Sequence, residues 1–248
     1  MKRLIGRALM LSCVVVGHAR ADEGMKIFVL ADQCCDCIDG AYSNDAIQAL
    51  WRRGAQAEIT DEVLSIKHKP LPPRTQCPEP GQKLAEYSLK SPRAKPAGER
   101  PILLVKGHHF KAGKVVSADS FGEACFPSTE HMRQSAQPGG KPPASKTCQI
   151  SLGPRKYSLE VLPQTYENND GERITVDLKI ALDGRSQWIR GVSTILFMGD
   201  LDRDGKLDVI TDTQGNRLVS ADTALYLSSA ATSDELLREV GRYTLVGD

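Results

Sequence analysis

Beyond its N-terminal segment the chain has no apolar run approaching the roughly 20 residues that a membrane-spanning helix needs, so a soluble mature protein is expected. It also lacks a basic stripe. Formal net charge is +1 for the whole chain and falls to −3 once residues 1–21, with Lys2, Arg3, Arg7 and Arg20 and no acid, are set aside. That balance argues against nucleic acid or an anionic membrane as partner. Familiar catalytic signatures are missing too: no Gly-x-Ser-x-Gly elbow, no His-Glu-x-x-His and no glycine-rich phosphate loop. No long internal repeat is present.

What is there begins with an export signal. Lys2, Arg3 and Arg7 form a positive start, Ala8–Gly17 is an apolar stretch, and Ala19-Arg20-Ala21 supplies small residues where a signal peptidase reads. Residues 1–21 are therefore expected to be a signal peptide, with Asp22 as the mature N-terminus and a periplasmic or secreted destination. A lipoprotein reading would need Cys13, whose neighbours Leu11-Ser12 and Val14-Val15-Val16 suit it poorly.

Six cysteines remain after residue 21: Cys34, Cys35, Cys37, Cys77, Cys125 and Cys148. An even number in an exported chain favours up to three disulfides, and the sequence leaves the pairing open. Cys125 and Cys148 flank a proline- and glycine-rich loop, Phe126–Lys146, which a bridge between them would close. Cys34-Cys35-Asp36-Cys37 contains a Cys-x-x-Cys spacing after an apolar strand, which admits a thiol–disulfide redox reading. A reactive thiolate there usually sits at a helix N-terminus, and none is expected at this place. Structural bridging is favoured over redox chemistry and over a zinc site using His68.

The fold expected is mainly β, of α+β type: an antiparallel meander behind a small N-terminal α/β part. In residues 22–100, Met25–Ala31 and Lys83–Lys90 read as strands. Asp45–Arg53 reads as a short helix with Ile47, Leu50 and Trp51 on one face, ended by Gly54. Pro70–Pro73 and Ser91–Pro101 are proline-rich connections, the second a candidate boundary before a β-rich region, residues 101–248. There Ile102–Val105, Ser151–Glu167, Ile174–Ile180, Trp188–Val192, Thr194–Met198, Leu207–Thr211 and Ala224–Leu227 read as strands. Asn169-Asp170-Gly171 and Asp183-Gly184 are hairpin turn signals, because these residues tolerate positive φ.

The most chemically specific stretch is Gly199–Ile210. Asp200, Asp202, Asp204 and Asp208 fall at loop positions 1, 3, 5 and 9, with Gly205 at position 6. Calcium takes six to eight oxygen ligands, and this spacing bends carboxylates around one centre while glycine permits the sharp turn. The backbone carbonyl of Lys206 would serve at position 7. A helical EF-hand also wants a glutamate at position 12, where this chain has Thr211 followed by Asp212, and the flanks read as strands. The segment 194–213 instead resembles the strand–loop–strand calcium motif of FG-GAP/VCBS-type repeats. That resemblance implies a structural calcium site pinning two strands, and a single copy cannot form a propeller.

The expectation is an exported calcium-binding protein, non-enzymatic, of inhibitor or immunity type, whose partner is another exported protein or a glycan. The alternatives are a calcium-dependent hydrolase using His108/His109 or the Ser128–His131 loop with Glu130, and a thiol–disulfide redox protein using Cys34 and Cys37.

Overall fold

The computed structural model describes residues 25–29, 34–35, 44–53, 56–69, 84–90, 100–118, 125–126, 144–168, 171–214 and 220–246. The proposed signal peptide, Cys37, Cys77, Pro70–Pro73, Ser128, Glu130 and His131 lie outside them, as does all but the ends of the Phe126–Lys146 loop.

The described residues form fifteen strands and no helix. In chain order the first are β1 (Lys26–Phe28), β2 (Cys34–Cys35), β3 (Ala46–Arg53), β4 (Gln56–Lys69) and β5 (Leu84–Lys90). Then come β6 (Leu103–Lys106), β7 (Gly113–Ser117), β8 (Lys146–Leu152), β9 (Arg155–Asn168) and β10 (Gly171–Leu182). The last are β11 (Arg185–Val192), β12 (Thr194–Asp200), β13 (Asp208–Gln214), β14 (Ser220–Leu227) and β15 (Arg238–Val246).

Two antiparallel sheets result. The larger follows the path β1-β6-β3-β4-β7-β12-β13-β14-β15, with β5 beside β4 and β2 beside β5. The sheet runs across residue 100, since Lys26 pairs with Lys106 and Gln48 with Val105. Its two ends approach each other: the Phe28 and Tyr243 rings meet edge-on at 6.3 Å, and Ile27 lies against Gly241. The second sheet is the meander β8-β9-β10-β11. Its β10–β11 turn has Asp183 at φ 50° and Gly184 at φ 81°, the two positive values that Asp-Gly accommodates.

Two apolar cores are separated by one wall. Phe197, Ile210, Leu225 and Leu227 face the core inside the large sheet, with Trp51, Leu64 and Leu104. Ile195, Met198, Val209 and Leu207 face the other way, against Leu159, Val176, Leu178 and Ile180 of the small sheet. Strands β12–β14 are thus apolar on both faces. A β-bulge between Ile195 and Phe197 shifts the alternation so that both cores are served.

The expected mainly β, antiparallel class holds, while several local expectations need correction. Asp45–Arg53 is no helix: Ala46–Arg53 is β3, paired with β4 on one side and β6 on the other. Ile47, Gln48, Ala49, Leu50 and Trp51 are all buried. A strand covered on both faces carries apolar residues at consecutive positions, and helical spacing then appears within it by chance. The stretch Ser151–Glu167 is not one strand but the end of β8, a turn at Gly153-Pro154 and β9. Strands β4, β7 and β15 carried no sequence signal that was read. In β4 the inward residues Ala57, Ile59, Leu64 and Ile66 are interrupted by Asp61-Glu62. In β15 a register shift opposite Leu225/Tyr226 puts inward Val240 and Tyr243 out of alternation.

Cys125 and Cys148 are joined in a disulfide, Cα atoms 5.8 Å apart. Their separation of 23 residues makes the bridge worth roughly 3 kcal/mol in the loop-entropy description. Replacing both by serine is expected to lower unfolding stability by that amount, read as a shift of the urea midpoint under oxidising conditions.

Candidate metal centre

The acidic loop joins β12 to β13. Gly199, the last but one residue of β12, pairs with Ser117 of β7, and a Cβ there would stand 2.3 Å from the Val116 carbonyl oxygen. Only glycine lets the strands meet at this point. Beyond it the chain turns through Arg203 at φ 66° and Gly205 at φ 76°.

The turn is organised by the carboxylates themselves. Gly205 N–H donates to Asp200 Oδ2 at 3.1 Å, Asp204 N–H to Asp202 Oδ1 at 3.2 Å and Lys206 N–H to Asp204 Oδ1 at 2.8 Å. Asp208 is the hub: fully buried, it accepts Leu201 N–H at 2.7 Å on Oδ2 and Ser228 N–H at 2.8 Å on Oδ1. Asp202 N–H also approaches Oδ2, at 3.4 Å, and the Ser228 hydroxyl lies 3.0 Å from Oδ1.

Ligand atoms of Asp200, Asp202 and Asp208 all lie within 4.8 Å of one another. Among the described residues this is the one group of three or more His, Cys, Asp or Glu at metal-holding separation. Asp200 is 8% exposed, and its Oδ1 has no hydrogen-bond partner. Such an orphaned acceptor is costly unless something positive meets it. Burial, followed by the charge of Asp202, pushes the Asp208 carboxyl up to about 7. Asp200 is raised above the usual carboxylate range by burial first and by Asp204. All the donors are oxygens, the chemistry of a hard cation.

Asp204 and Lys206 are placed differently from those three. Asp204 turns to Ser228, whose hydroxyl lies 3.1 and 3.2 Å from its oxygens and 3.0 Å from Asp208 Oδ1. One hydroxyl proton can serve a single one of these acceptors at a time. The Lys206 ammonium sits 3.2 Å from Asp204 Oδ2 and partly neutralises that loop acid.

Several contributors were not foreseen from the sequence. The Ser229 hydroxyl donates to Asp202 Oδ2, and the buried phenol of Tyr157 accepts Leu207 N–H at 3.1 Å. Arg155 Nε donates to the Gly205 carbonyl at 3.1 Å. Arg203 reaches out of the loop to the carbonyls of Lys111, Ala112 and Lys114, at 3.1, 2.9 and 3.2 Å. These partners are 27 to 92 positions away in the chain, beyond the reach of any spacing argument.

The other candidate residues do not assemble into a comparable cluster within the described part. His108 meets Phe110 edge-on at 4.5 Å, His109 is exposed, and neither belongs to a metal-holding group. Cys34 and Cys35 lie on β2, paired with Ala85 and Leu84. His68 lies on β4 opposite Ala85.

A second acidic pair sits further along the β13–β14 hairpin. Asp212 and Asp222 each have one buried oxygen without a partner, and Arg242 reaches Asp222 Oδ2 at 3.5 Å. Burial, then the charge of Asp222, raises the Asp212 carboxyl to about 6. The folded state therefore holds this proton more tightly than the unfolded chain does. Stability from this group is complete below the unfolded value of 3.8 and is lost as pH rises through about 6. Asp212→Asn is expected to stabilise the protein at neutral pH by about 1 kcal/mol, discounted for solvent screening, and to bring no gain near pH 4. Urea melts at the two pH values read the difference.

Compared with protein-family models, with curated proteins and with solved structures, the chain matches none of them.

Proposed function

We propose that this is an exported calcium-binding protein, periplasmic or secreted, that acts by binding a partner rather than by catalysis, in the manner of an inhibitor or immunity protein. The observation that carries the calcium reading is the buried, partnerless Oδ1 of Asp200 beside Asp202 and Asp208. Those three carboxylates would hold the ion, with Asp204 and the Lys206 carbonyl completing the loop positions. The ion supplies positive charge where four acids crowd together. The protein's own groups position it: Gly205 sharpens the turn, and backbone N–H groups fix Asp200 and Asp208.

The role follows from position. The loop caps the wall between two cores, so an ion there holds β12 against β13 and keeps the surface around it in one shape. Export is supported by the N-terminal segment and by the Cys125–Cys148 bridge, a bond that suits an oxidising compartment. Calorimetric titration of metal-stripped protein with calcium tests the site, and absence of heat and of uptake overturns it. Pull-down from periplasmic extract tests the role through recovery of one saturable protein or glycan partner. A hydrolytic activity lost on substituting His108, His109 and His131 would replace this reading.

A further inference from the structure

A cavity of about 270 Å³ opens beside the acidic loop, between the β10–β11 hairpin, the start of β9 and the segment joining β14 to β15. Its floor includes the apolar Ile180, Leu182 and Leu236, while polar groups make up the larger part of the exposed lining. Its charged lining is mostly cationic: Arg155, Arg185 and Lys206 against Glu235 alone. Glu235 is already engaged, accepting from Thr232 N–H at 3.2 Å and from Arg238 at 3.0 and 3.1 Å. Arg155 and Arg185 donate to backbone carbonyls, of Gly205 and Ser233, and neither has a carboxylate partner among the described residues. Tyr157 also lines the cavity, and its phenol accepts a hydrogen bond while its own proton has no acceptor among the described residues. The charged side chains without a carboxylate partner, Arg155 and Arg185, are therefore donors.

We infer that this cavity is a binding site for a small apolar carboxylate, its aliphatic or aromatic body on the Ile180–Leu182–Leu236 floor and its carboxylate between Arg155, Arg185 and the Tyr157 hydroxyl. A concavity where a few polar groups converge beside apolar side chains can hold a small molecule, and a guanidinium matches a carboxylate in geometry as well as charge. A monoanion suits it better than a phosphate dianion. Lys206 is paired with Asp204, and the acids behind it repel a second negative charge. The carboxylate belongs either to a free acid or to a peptide C-terminus with an apolar last side chain, and the two share this chemistry. The cavity shares Lys206 and the Arg155–Gly205 contact with the neighbouring acidic loop, so binding is to be measured with and without calcium.

Calorimetry with the disulfide-intact protein would compare 4-methylpentanoate, N-acetyl-leucine and the neutral 4-methylpentanamide, in calcium and again in EGTA. At least one acid is expected to bind saturably in at least one of these conditions, with the amide weaker by about 10-fold or more. N-acetyl-leucine binding ahead of 4-methylpentanoate would point to a peptide C-terminus, and the reverse order to a free acid. Arg185 is exposed, so Arg185→Gln should leave the melting temperature and calcium uptake unchanged while weakening the acid by about 10-fold. Equal binding of acid and amide, an unchanged affinity in Arg185→Gln, or no binding of either acid at millimolar concentration in both conditions overturns the proposal. Calcium uptake measured on the same samples separates that failure from failure of the metal reading.

Discussion

Free calcium at about 1,000 times its dissociation constant is expected to add about 4.1 kcal/mol to unfolding stability, and EGTA to remove it. The reason is that the loop acids are held together in the folded chain and dispersed in the unfolded one. Asp200→Ala should weaken calcium by about 100-fold or more, because it deletes one of the three converging carboxylates and its partnerless oxygen. In EGTA the same substitution should cost less than in calcium, since the lost acceptor for Gly205 N–H is offset by relief of a buried carboxylate and of its repulsion from Asp204. Thermal melts of both proteins, with calcium and with EGTA, give four midpoints. The calcium reading requires the gain in wild type and its loss in the variant.

Gly199→Ala is expected to destabilise the protein by about 4 kcal/mol, at the upper end for overpacking. The new methyl would lie 2.3 Å from the Val116 carbonyl oxygen and 2.6 Å from the Phe197 ring. The first obstacle is backbone, which cannot swing aside as a side chain can. Relief requires β7 to part from β12, breaking the pairing of Gly199 with Ser117 and Asp200 with Val116. Since Asp200 is the first acid of the loop, calcium affinity should fall in the same variant. Chemical denaturation and calorimetry together read both effects, and a stable variant with intact calcium uptake would contradict this account of the strand junction.

How far the sequence could be read depended on which faces of a strand are covered. β10 was legible because its faces differ in chemistry even where both are covered: Val176, Leu178 and Ile180 are apolar, while the alternate positions are polar, Thr175 and Asp177 buried and Lys179 reaching out to Glu160 and Trp188. β3 was misread as a helix because both its faces are buried, which erases the two-residue period. β15 was invisible because its bulge interrupts the alternation. The turn of the acidic loop was legible as a local pattern, since Asx bonds and one glycine are contained within nine residues, but the turning of Asp204 to Ser228 and of the Lys206 ammonium to Asp204 was not. Ser228, Ser229, Tyr157 and Arg155 reach that loop only through the fold, and no local spacing marks them. The cationic cavity was hidden for the same reason: Arg155, Arg185 and Lys206 come from three separate turns.

The wall strands β12–β14 carry a consequence for how the protein comes into being. Both cores close only against residues 194–227, which follow nearly all their partners in the chain. While the polypeptide is being made, β1–β7 and the β8–β11 meander emerge first, each with an oily side and nothing to lay it on. Neither half can settle early. An aggregation-prone interval is thus built into the order of the strands, and a holdase that shields those sides until the wall arrives should raise the yield of folded protein.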